Sequence, residues 1–476
     1  METLQRTANR GSVSTGYDVT NSLKLEEDND EQLERSPDNG NRRTWTFSTW
    51  FKMIDSKTDV GYVLQTFGVN NQATRISVDP GNNFSLQVDL CDTGTDLYRT
   101  ITNRVFRDVS AWYHVVVAVD TTQGTDSNRL KIYVNGVQET SFSQTQYPTQ
   151  NLDTLANVTG YGNEAIATFP WAGASYDGMF RGYIAEHILI DGQQLDATSF
   201  GEFDSTGIWK PKDPSSLTFG TNGHYLKFDN SSSLGADSSG NSNNYTTYNI
   251  TAADQATDTP TNNFCTLNIN WKYGNVPSVL NCTDGGTIIQ HNGSWSGAKA
   301  TMGVDKGKWY WEIKVGQNEN TMWGVQTDGE DNIGTGNAHT NKSTSVFYPQ
   351  AATGGYRIDY ISGSATAHDG TATFSAGFSS GDVAGVLLDM DNNEISFYKN
   401  GSSMGTGFVD IGLQDNADKV NFPFIATYRE YLKINFGGYS DWETGGNSDA
   451  NGYGSFQYSV PSGYYALCTK NLAEYG

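Results

Sequence analysis

The sequence predicts an all-β protein made of two serial antiparallel β-sandwich (jelly-roll) domains, on three observations. A strand-and-turn signal occurs twice, as Leu130-Lys-Ile-Tyr-Val-Asn135-Gly136 and as Glu394-Ile-Ser-Phe-Tyr-Lys-Asn400-Gly401. Asn-Gly closing an alternating apolar run is the strongest short-range hairpin signal, because both central residues of a type I′ turn need φ > 0. Composition agrees: 52 of 476 residues are glycine and only 17% are charged, a balance that favours tight turns over salt-bridged helices. Finally, no helical heptad or solenoid period runs through the chain, and its length exceeds one ordinary core.

The elements follow in order. Residues 1–20 are polar and aperiodic and form an N-terminal arm or connector. The first domain spans 21–213 and opens with strands at Leu23–Leu25, Trp45–Phe51 and Tyr62–Leu64. Trp45, Phe47 and Phe51 share a parity that Trp50 breaks, which predicts a central strand with both faces covered or a bulge. The acidic run Glu26–Glu31 reads as a solvated hairpin loop. Trp112–Val119 is apolar at both parities, as a strand between two packed layers should be. Phe180–Ile190 supplies another strand, and Asp196 caps a short helix reaching Phe200. Trp209-Lys-Pro-Lys-Asp-Pro214 marks a boundary through its two prolines.

Residues 214–264 read as an interdomain bridge that carries one strand, Tyr225–Phe228. The second domain spans 265–437. In it Trp309, Trp311, Ile313 and Val315 point one way and Tyr310, Glu312 and Lys314 the other, a half-buried strand. Val383–Met390 and Ile395–Phe397 form a hairpin that leads into Asn400-Gly401, and Phe422–Ala426 and Leu432–Phe436 complete the set. Residues 438–476 are a Gly-rich C-terminal segment with a short strand at Tyr464–Leu467.

Composition excludes several functions. A formal net charge of −23 opposes association with phosphate backbones or anionic lipid, so no nucleic-acid partner is expected. No apolar leader opens the chain, and the longest aliphatic run, Val115–Val119, is too short to span a bilayer; a soluble protein without membrane insertion is expected. Cys91, Cys265, Cys282 and Cys468 are scattered and read as buried thiols, with a Cys265–Cys468 bridge as the one alternative. The six histidines stand singly, without metal-ligand spacing. Gly293-Ser-Trp-Ser-Gly297 has Trp where a nucleophile elbow needs Ser, and Gly303-Val-Asp-Lys-Gly-Lys308 is one residue short of a P-loop. No strand carries the alternating carboxylates of a glucanase. The protein is therefore expected not to be an enzyme, and no cofactor is expected.

Binding remains. Sugars are held by aromatic faces against the apolar side of the ring and by amides or carboxylates against hydroxyls. The aromatics outside predicted strands, Tyr98, Trp171, Tyr176, Trp295 and Tyr356, are the candidate ligand-binding residues. Asp237 and Asn241, in Asp237-Ser-Ser-Gly-Asn241, are the candidate ligands for a structural calcium ion; the same turn also suits Asp and Asn accepting backbone hydrogen bonds.

These residues carry resemblances. Residues 21–213 resemble a laminin-G or concanavalin-A-like lectin domain through Ser22-Leu-Lys-Leu25, Trp45-Thr-Phe-Ser-Thr-Trp-Phe51, Trp112-Tyr-His-Val-Val, Ile132-Tyr-Val-Asn-Gly136 and Phe180-Arg-Gly-Tyr-Ile-Ala-Glu186. Residues 265–437 resemble a SPRY domain through Gly307-Lys-Trp-Tyr-Trp-Glu312, Trp323-Gly-Val325, Gly381-Asp-Val-Ala-Gly-Val-Leu-Leu-Asp389 and Ile395-Ser-Phe-Tyr-Lys-Asn-Gly401. The serial combination, with Thr257-Asp-Thr-Pro-Thr-Asn-Asn-Phe264 and Tyr464-Tyr-Ala-Leu-Cys-Thr-Lys-Asn-Leu472, is similar to virion proteins of tailed bacteriophages, particularly marine ones. The resemblance implies a tail- or fibre-associated adsorption protein that recognises host surface polysaccharide, assembled in the host cytoplasm and carried on the virion. It implies other virion proteins as partners and a homo-oligomer, a trimer by analogy with phage fibres. The alternative is a capsid decoration or head-fibre part that binds only virion proteins.

Overall fold

The computed structural model describes residues 16–476 apart from 56–61, 70–71, 95, 169–178, 275–280, 291–295, 317–320, 328–344, 350–377, 406–407, 410–419 and 428–430. The chain divides into two compact units, one of Ser14–Thr261 and one that runs from Asn262 to Gly476.

The first unit contains β1 (Ser22–Leu25), β2 (Gln32–Arg35), β3 (Thr44–Met53), β4 (Tyr62–Val69), β5 (Gln72–Asp79), β6 (Ser85–Cys91), β7 (Leu97–Val105), β8 (Tyr113–Asp120) and β9 (Leu130–Val134). It continues with β10 (Val137–Gln138), β11 (Phe142–Thr145), β12 (Glu164–Ile166), β13 (Gly182–Asp191), β14 (Gly201–Phe203), β15 (Trp209–Pro211), β16 (His224–Leu226), β17 (Thr246–Tyr248) and β18 (Gln255–Ala256). One eight-stranded sheet runs β10-β9-β8-β3-β13-β1-β18 with β16 beside β13, a second runs β11-β7-β6-β5-β4-β12-β2-β17, and β14 and β15 form a separate ribbon.

Alternation sets which side chains lie between the sheets. Trp45, Phe47 and Phe51 of β3, Val115, Val117 and Val119 of β8, Ile76 and Val78 of β5, and Leu86, Val88 and Leu90 of β6 share one buried cluster. On the outer side of the first sheet, Val116, Ile188 and Ile190 lie under Ala197, Phe200, Phe219 and Tyr225. The double parity of Trp112–Val119 therefore reflects two apolar layers. Trp50 likewise faces outward, stacked on His114 at 4.6 Å. The expected bulge sits on the partner strand: the β13–β3 register shifts between Ala185 and Ile188, and Glu186 there adopts φ 49°, the left-handed conformation that an extra bulge residue takes.

Residues 214–264 are not a bridge. β16 pairs with β13, β17 with β2 and β18 with β1, so the stretch up to Thr261 completes both sheets of the first unit through strands too short to show a period of their own, and residues 262–264 belong to the second unit. The acidic run is solvated only in its middle, at Asp28, Asn29 and Asp30, and not at its ends. Glu26 and Glu31 are buried, because Arg181 and Lys24 bring cations to them: Arg181 lies 2.5 Å from Glu26 and Lys24 3.0 Å from Glu31. Asp196 does cap a turn of 3₁₀ helix at Ala197–Ser199, accepting the Thr198 N–H.

The second unit contains β19 (Leu267–Gly274), β20 (Asn281–Thr283), β21 (Ile288–Gln290), β22 (Ser296–Ala300), β23 (Lys308–Lys314), β24 (Thr321–Thr327), β25 (Ser345–Pro349), β26 (Val383–Asp389), β27 (Glu394–Lys399), β28 (Ser402–Ser403), β29 (Phe408–Val409), β30 (Asn421–Thr427), β31 (Tyr431–Asn435) and β32 (Tyr465–Ala466), then a helix α1 (Thr469–Tyr475). Its sheets run β19-β22-β30-β24-β25 and β20-β21-β31-β23-β26-β27-β28, with β29 beside β27 and β32 beside β23. Trp309, Trp311, Ile313 and Val315 enter the core as their parity requires.

The other face of β23 departs from the half-buried expectation. Tyr310 is buried with Phe456, Ala466 and Cys468, and Glu312 accepts the Gln457 and Tyr458 N–H groups at 2.8 and 2.9 Å and the Tyr310 hydroxyl at 2.9 Å. The segment 438–476 is thus an integral layer of this unit, which alternation within β23 cannot reveal. All four cysteines are buried thiols outside any disulfide. Phe264, rather than Cys265, bridges to Cys468, so the disulfide alternative fails on register.

Candidate functional site

Both Asn-Gly turns are built alike. Asn135 and Gly136 have φ 47° and 79°, Asn400 and Gly401 49° and 77°, the pair of positive values that a type I′ turn demands. Each asparagine also clasps the preceding strand: Asn135 donates its N–H to the His114 carbonyl and accepts the His114 N–H on Oδ1, and Asn400 does the same with Val383. An aromatic ring then lies flat on each glycine. A Cβ on Gly136 would meet the Trp209 ring at 2.3 Å, and one on Gly401 would meet Tyr458 at 2.6 Å.

In the first unit this arrangement continues to the surface. Outward from the sheet, Trp50 stacks on His114 at 4.6 Å and His114 on Trp209 at 5.9 Å, and Trp209 meets Phe203 at 4.8 Å and 64°. Trp209 donates its indole N–H to His114 Nδ1 at 3.0 Å; the imidazole proton is therefore on Nε2, which donates to Ser48 Oγ at 2.9 Å. Burial lowers the His114 pKa to about 3, so the ring is a neutral spacer at ordinary pH. Gly201 gives Trp209 a second close floor, where a Cβ would stand 2.4 Å from the ring.

The β14–β15 ribbon holds the outer ring in place. Phe203 opposes Trp209 in its register, and Asp204 locks the tip by accepting the Thr206 and Ile208 N–H groups at 2.8 and 3.0 Å. Phe203 is 52% exposed. Tyr133, like Trp209, packs against the outer apolar layer, and Gln138, exposed, opposes Tyr133 across β9 and β10. Glu202 and Lys210 pair at 3.2 Å, on the alternate face of the ribbon from Phe203 and Trp209. The platform therefore offers three aromatic rings, a phenol and an amide, and no charged side chain from the ribbon. That is the composition of a surface that stacks on the apolar face of a sugar and orients its hydroxyls; the neutral, fully engaged His114 offers no general base.

Comparison with known proteins covers part of this arrangement: Trp50, His114 and Tyr133 fall within a matched stretch, and Phe203 and Trp209 follow it in the chain. Residues 26–186 match the concanavalin A-like lectin/glucanases superfamily and residues 308–439 match the SPRY domain. The chain carries a concanavalin A-like lectin domain and a SPRY domain. It is 30% identical over 145 residues to the ATP-dependent RNA helicase Ddx1 of Drosophila melanogaster, covering 30% of this chain and 17% of that protein. It is 29% identical over 146 residues to the human heterogeneous nuclear ribonucleoprotein U-like protein 2, covering 30% and 18%. The chain thus spans less than a fifth of either relative. Among solved structures, the SPRY domain of human HERC1 is similar at 22% identity, 35% of this chain, 96% of that one and a TM-score of 0.28. The heptameric SAP-like pentraxin of Limulus polyphemus is similar at 14% identity, 38% and 80% coverage and a TM-score of 0.27.

The lectin-like domain places few of the residues singled out from sequence. Tyr98 is not in a loop: it belongs to β7, opposes Leu90 on the core face, and its hydroxyl lies 3.2 Å from that of Thr149. A ring held in the core has no face to offer a sugar. Trp171, Tyr176, Trp295 and Tyr356 lie outside the described residues. Asp237 has both oxygens engaged by the protein, Oδ1 by the Tyr225 and Ser239 N–H groups and Oδ2 by the Ser239 hydroxyl and the Asn243 N–H. Asn241 donates to the Gly220 and Gly223 carbonyls. This turn is therefore closed by hydrogen bonds, the second of the two readings its sequence allowed. The other carboxylate cluster, Glu26, Asp28 and Asp55, converges on the Arg181 guanidinium at 2.5, 2.6 and 3.0 Å, so an internal cation stands where a metal would.

Phe203, Trp209 and Tyr133 were not singled out from sequence. The prolines after Trp209 read as a boundary, although Asp204-Ser-Thr-Gly207 between two aromatic residues is a ribbon signal. That Trp209 would lie on Gly136, 73 positions earlier, is visible only in the fold.

Proposed function

We propose that this chain is a non-enzymatic virion protein of a tailed bacteriophage whose lectin-like domain holds host surface polysaccharide on the Phe203–Trp209–Tyr133 platform. The observation that carries the reading is Phe203, 52% exposed yet fixed by a locked ribbon and backed by a continuous Trp209–His114–Trp50 stack. A rigid exposed ring loses little conformational freedom when a ligand settles on it, which raises affinity without added contacts. Fold alone does not assign function, so the reading rests on this site.

The full chain should be tested against an array of bacterial envelope polysaccharides and by immunogold labelling of the phage particle. Binding should fall about tenfold in Phe203→Ala, the loss of one stacked ring (~1.4 kcal/mol), with the melting temperature unchanged. A chain that binds none of the polysaccharides overturns the glycan assignment; absence of label from particles overturns the virion assignment.

A further inference from the structure

A second feature of the lectin-like domain lies away from the platform. Glu186, the bulge residue of β13, is 4% exposed and forms no ion pair among the described residues. Its Oε2 instead accepts the Tyr225 hydroxyl at 2.7 Å and the Tyr17 hydroxyl at 3.0 Å, and the two hydroxyls lie 2.7 Å apart. Tyr225 belongs to β16 within the sheet, whereas Tyr17 comes from the N-terminal segment ahead of β1. Two residues on, Val19 is tied to Thr261, whose hydroxyl accepts the Val19 N–H and lies 3.1 Å from its carbonyl.

A buried carboxylate with only neutral partners is costly when charged, since two hydroxyls replace full hydration. The other charged groups around it give little relief. Lys227 favours the ionised form, but it lies 3.5 Å from Asp229 and over the Tyr225 ring; Asp213 opposes ionisation. Tyr17 lies directly on the carboxyl, so lifting the segment away opens Glu186 to water.

We propose that Tyr17 and Glu186 form a proton-controlled latch that holds the segment Tyr17–Val19 on the domain while Glu186 is protonated and loosens it once Glu186 ionises. The sign follows from linkage. Burial raises the docked Glu186 from 4.5 to about 7, and the undocked, hydrated carboxyl returns toward its ordinary value. The docked form therefore binds the proton more tightly, and docking weakens as pH rises from about 4.5 through about 7. The segment is tight in mild acid and loose in mild alkali.

Hydrogen exchange of a peptide covering residues 16–21, in the full chain from pH 5 to 8.5 and corrected by the rate of the same peptide in urea-unfolded chain, tests this. Protection should fall at least ~10-fold across pH 6–8 in the wild type. It should stay high throughout in Glu186→Gln, which keeps the hydrogen-bonding shape without the charge, and low throughout in Tyr17→Phe. Wild-type protection constant with pH overturns the latch without recourse to any variant. A Glu186→Gln protein that melts normally yet follows the wild-type pH curve overturns it equally, since another group must then control the segment.

Discussion

Replacing Arg181 by Met should destabilise the lectin-like domain by about 3–5 kcal/mol, the range for removing one partner of a buried ion network. The Arg181 side chain is fully buried, and so, within a few per cent, are those of Glu26 and Asp55; only Asp28, at 58%, has ready access to water. Methionine fills the space but leaves carboxylates without the cation that faces them. Against a total stability of 5–15 kcal/mol for a typical domain, the loss is large. With a urea m-value of about 2–3 kcal/mol per molar for a domain of this size, the midpoint should drop by roughly 1–2 M. Lys, which restores charge but not the planar fork, should give an intermediate midpoint. A midpoint within ~0.3 M of wild type would show that the cluster is not held by this cation.

Gly136→Ala should cost about 2–4 kcal/mol, combining a left-handed backbone with displacement of the Trp209 ring, and Gly401→Ala should act similarly through Tyr458; equal stability of either variant in urea would refute the shared hairpin construction. Glu312, raised to about 7 by burial, should make the SPRY domain lose stability as pH rises from about 4.5 through about 7, and Glu312→Gln should flatten that dependence in melts across the same window. Burial raises the Cys91 and Cys468 thiols to about 11 and about 12; all four thiols should therefore react with a disulfide reagent only after denaturant is added, and reductant should leave the melting temperature unchanged.

Much of the fold was legible along the chain. Trp45–Phe51, Trp112–Val119 and Trp309–Val315 announced themselves because period-two burial is a local property of the strand. Strands β5 to β7 also alternate, with Ile76, Val78, Leu86 and Val88 inward, yet their polar turns and charged outer residues left them unmarked. The two-layered wrapping was not legible. β17 and β18 are three and two residues long, too short for any period, and they are recruited by register with β2 and β1. Tyr98 shows the opposite failure: it looked like a loop residue and is a core residue, because its neighbours Leu97 and Arg99 face outward in the same strand.

Sequence by itself determined the all-β class, the two sandwich domains and the conformation of both Asn-Gly turns, since each depends on residues adjacent in the chain. Tertiary structure alone decided what those turns carry. Trp209 settles on Gly136, Tyr458 on Gly401, Arg181 on Glu26, and Tyr17 on Glu186, each across 57 to 169 positions. Such pairs are selected by shape, charge and exclusion of water, which act through space and leave no period in the sequence.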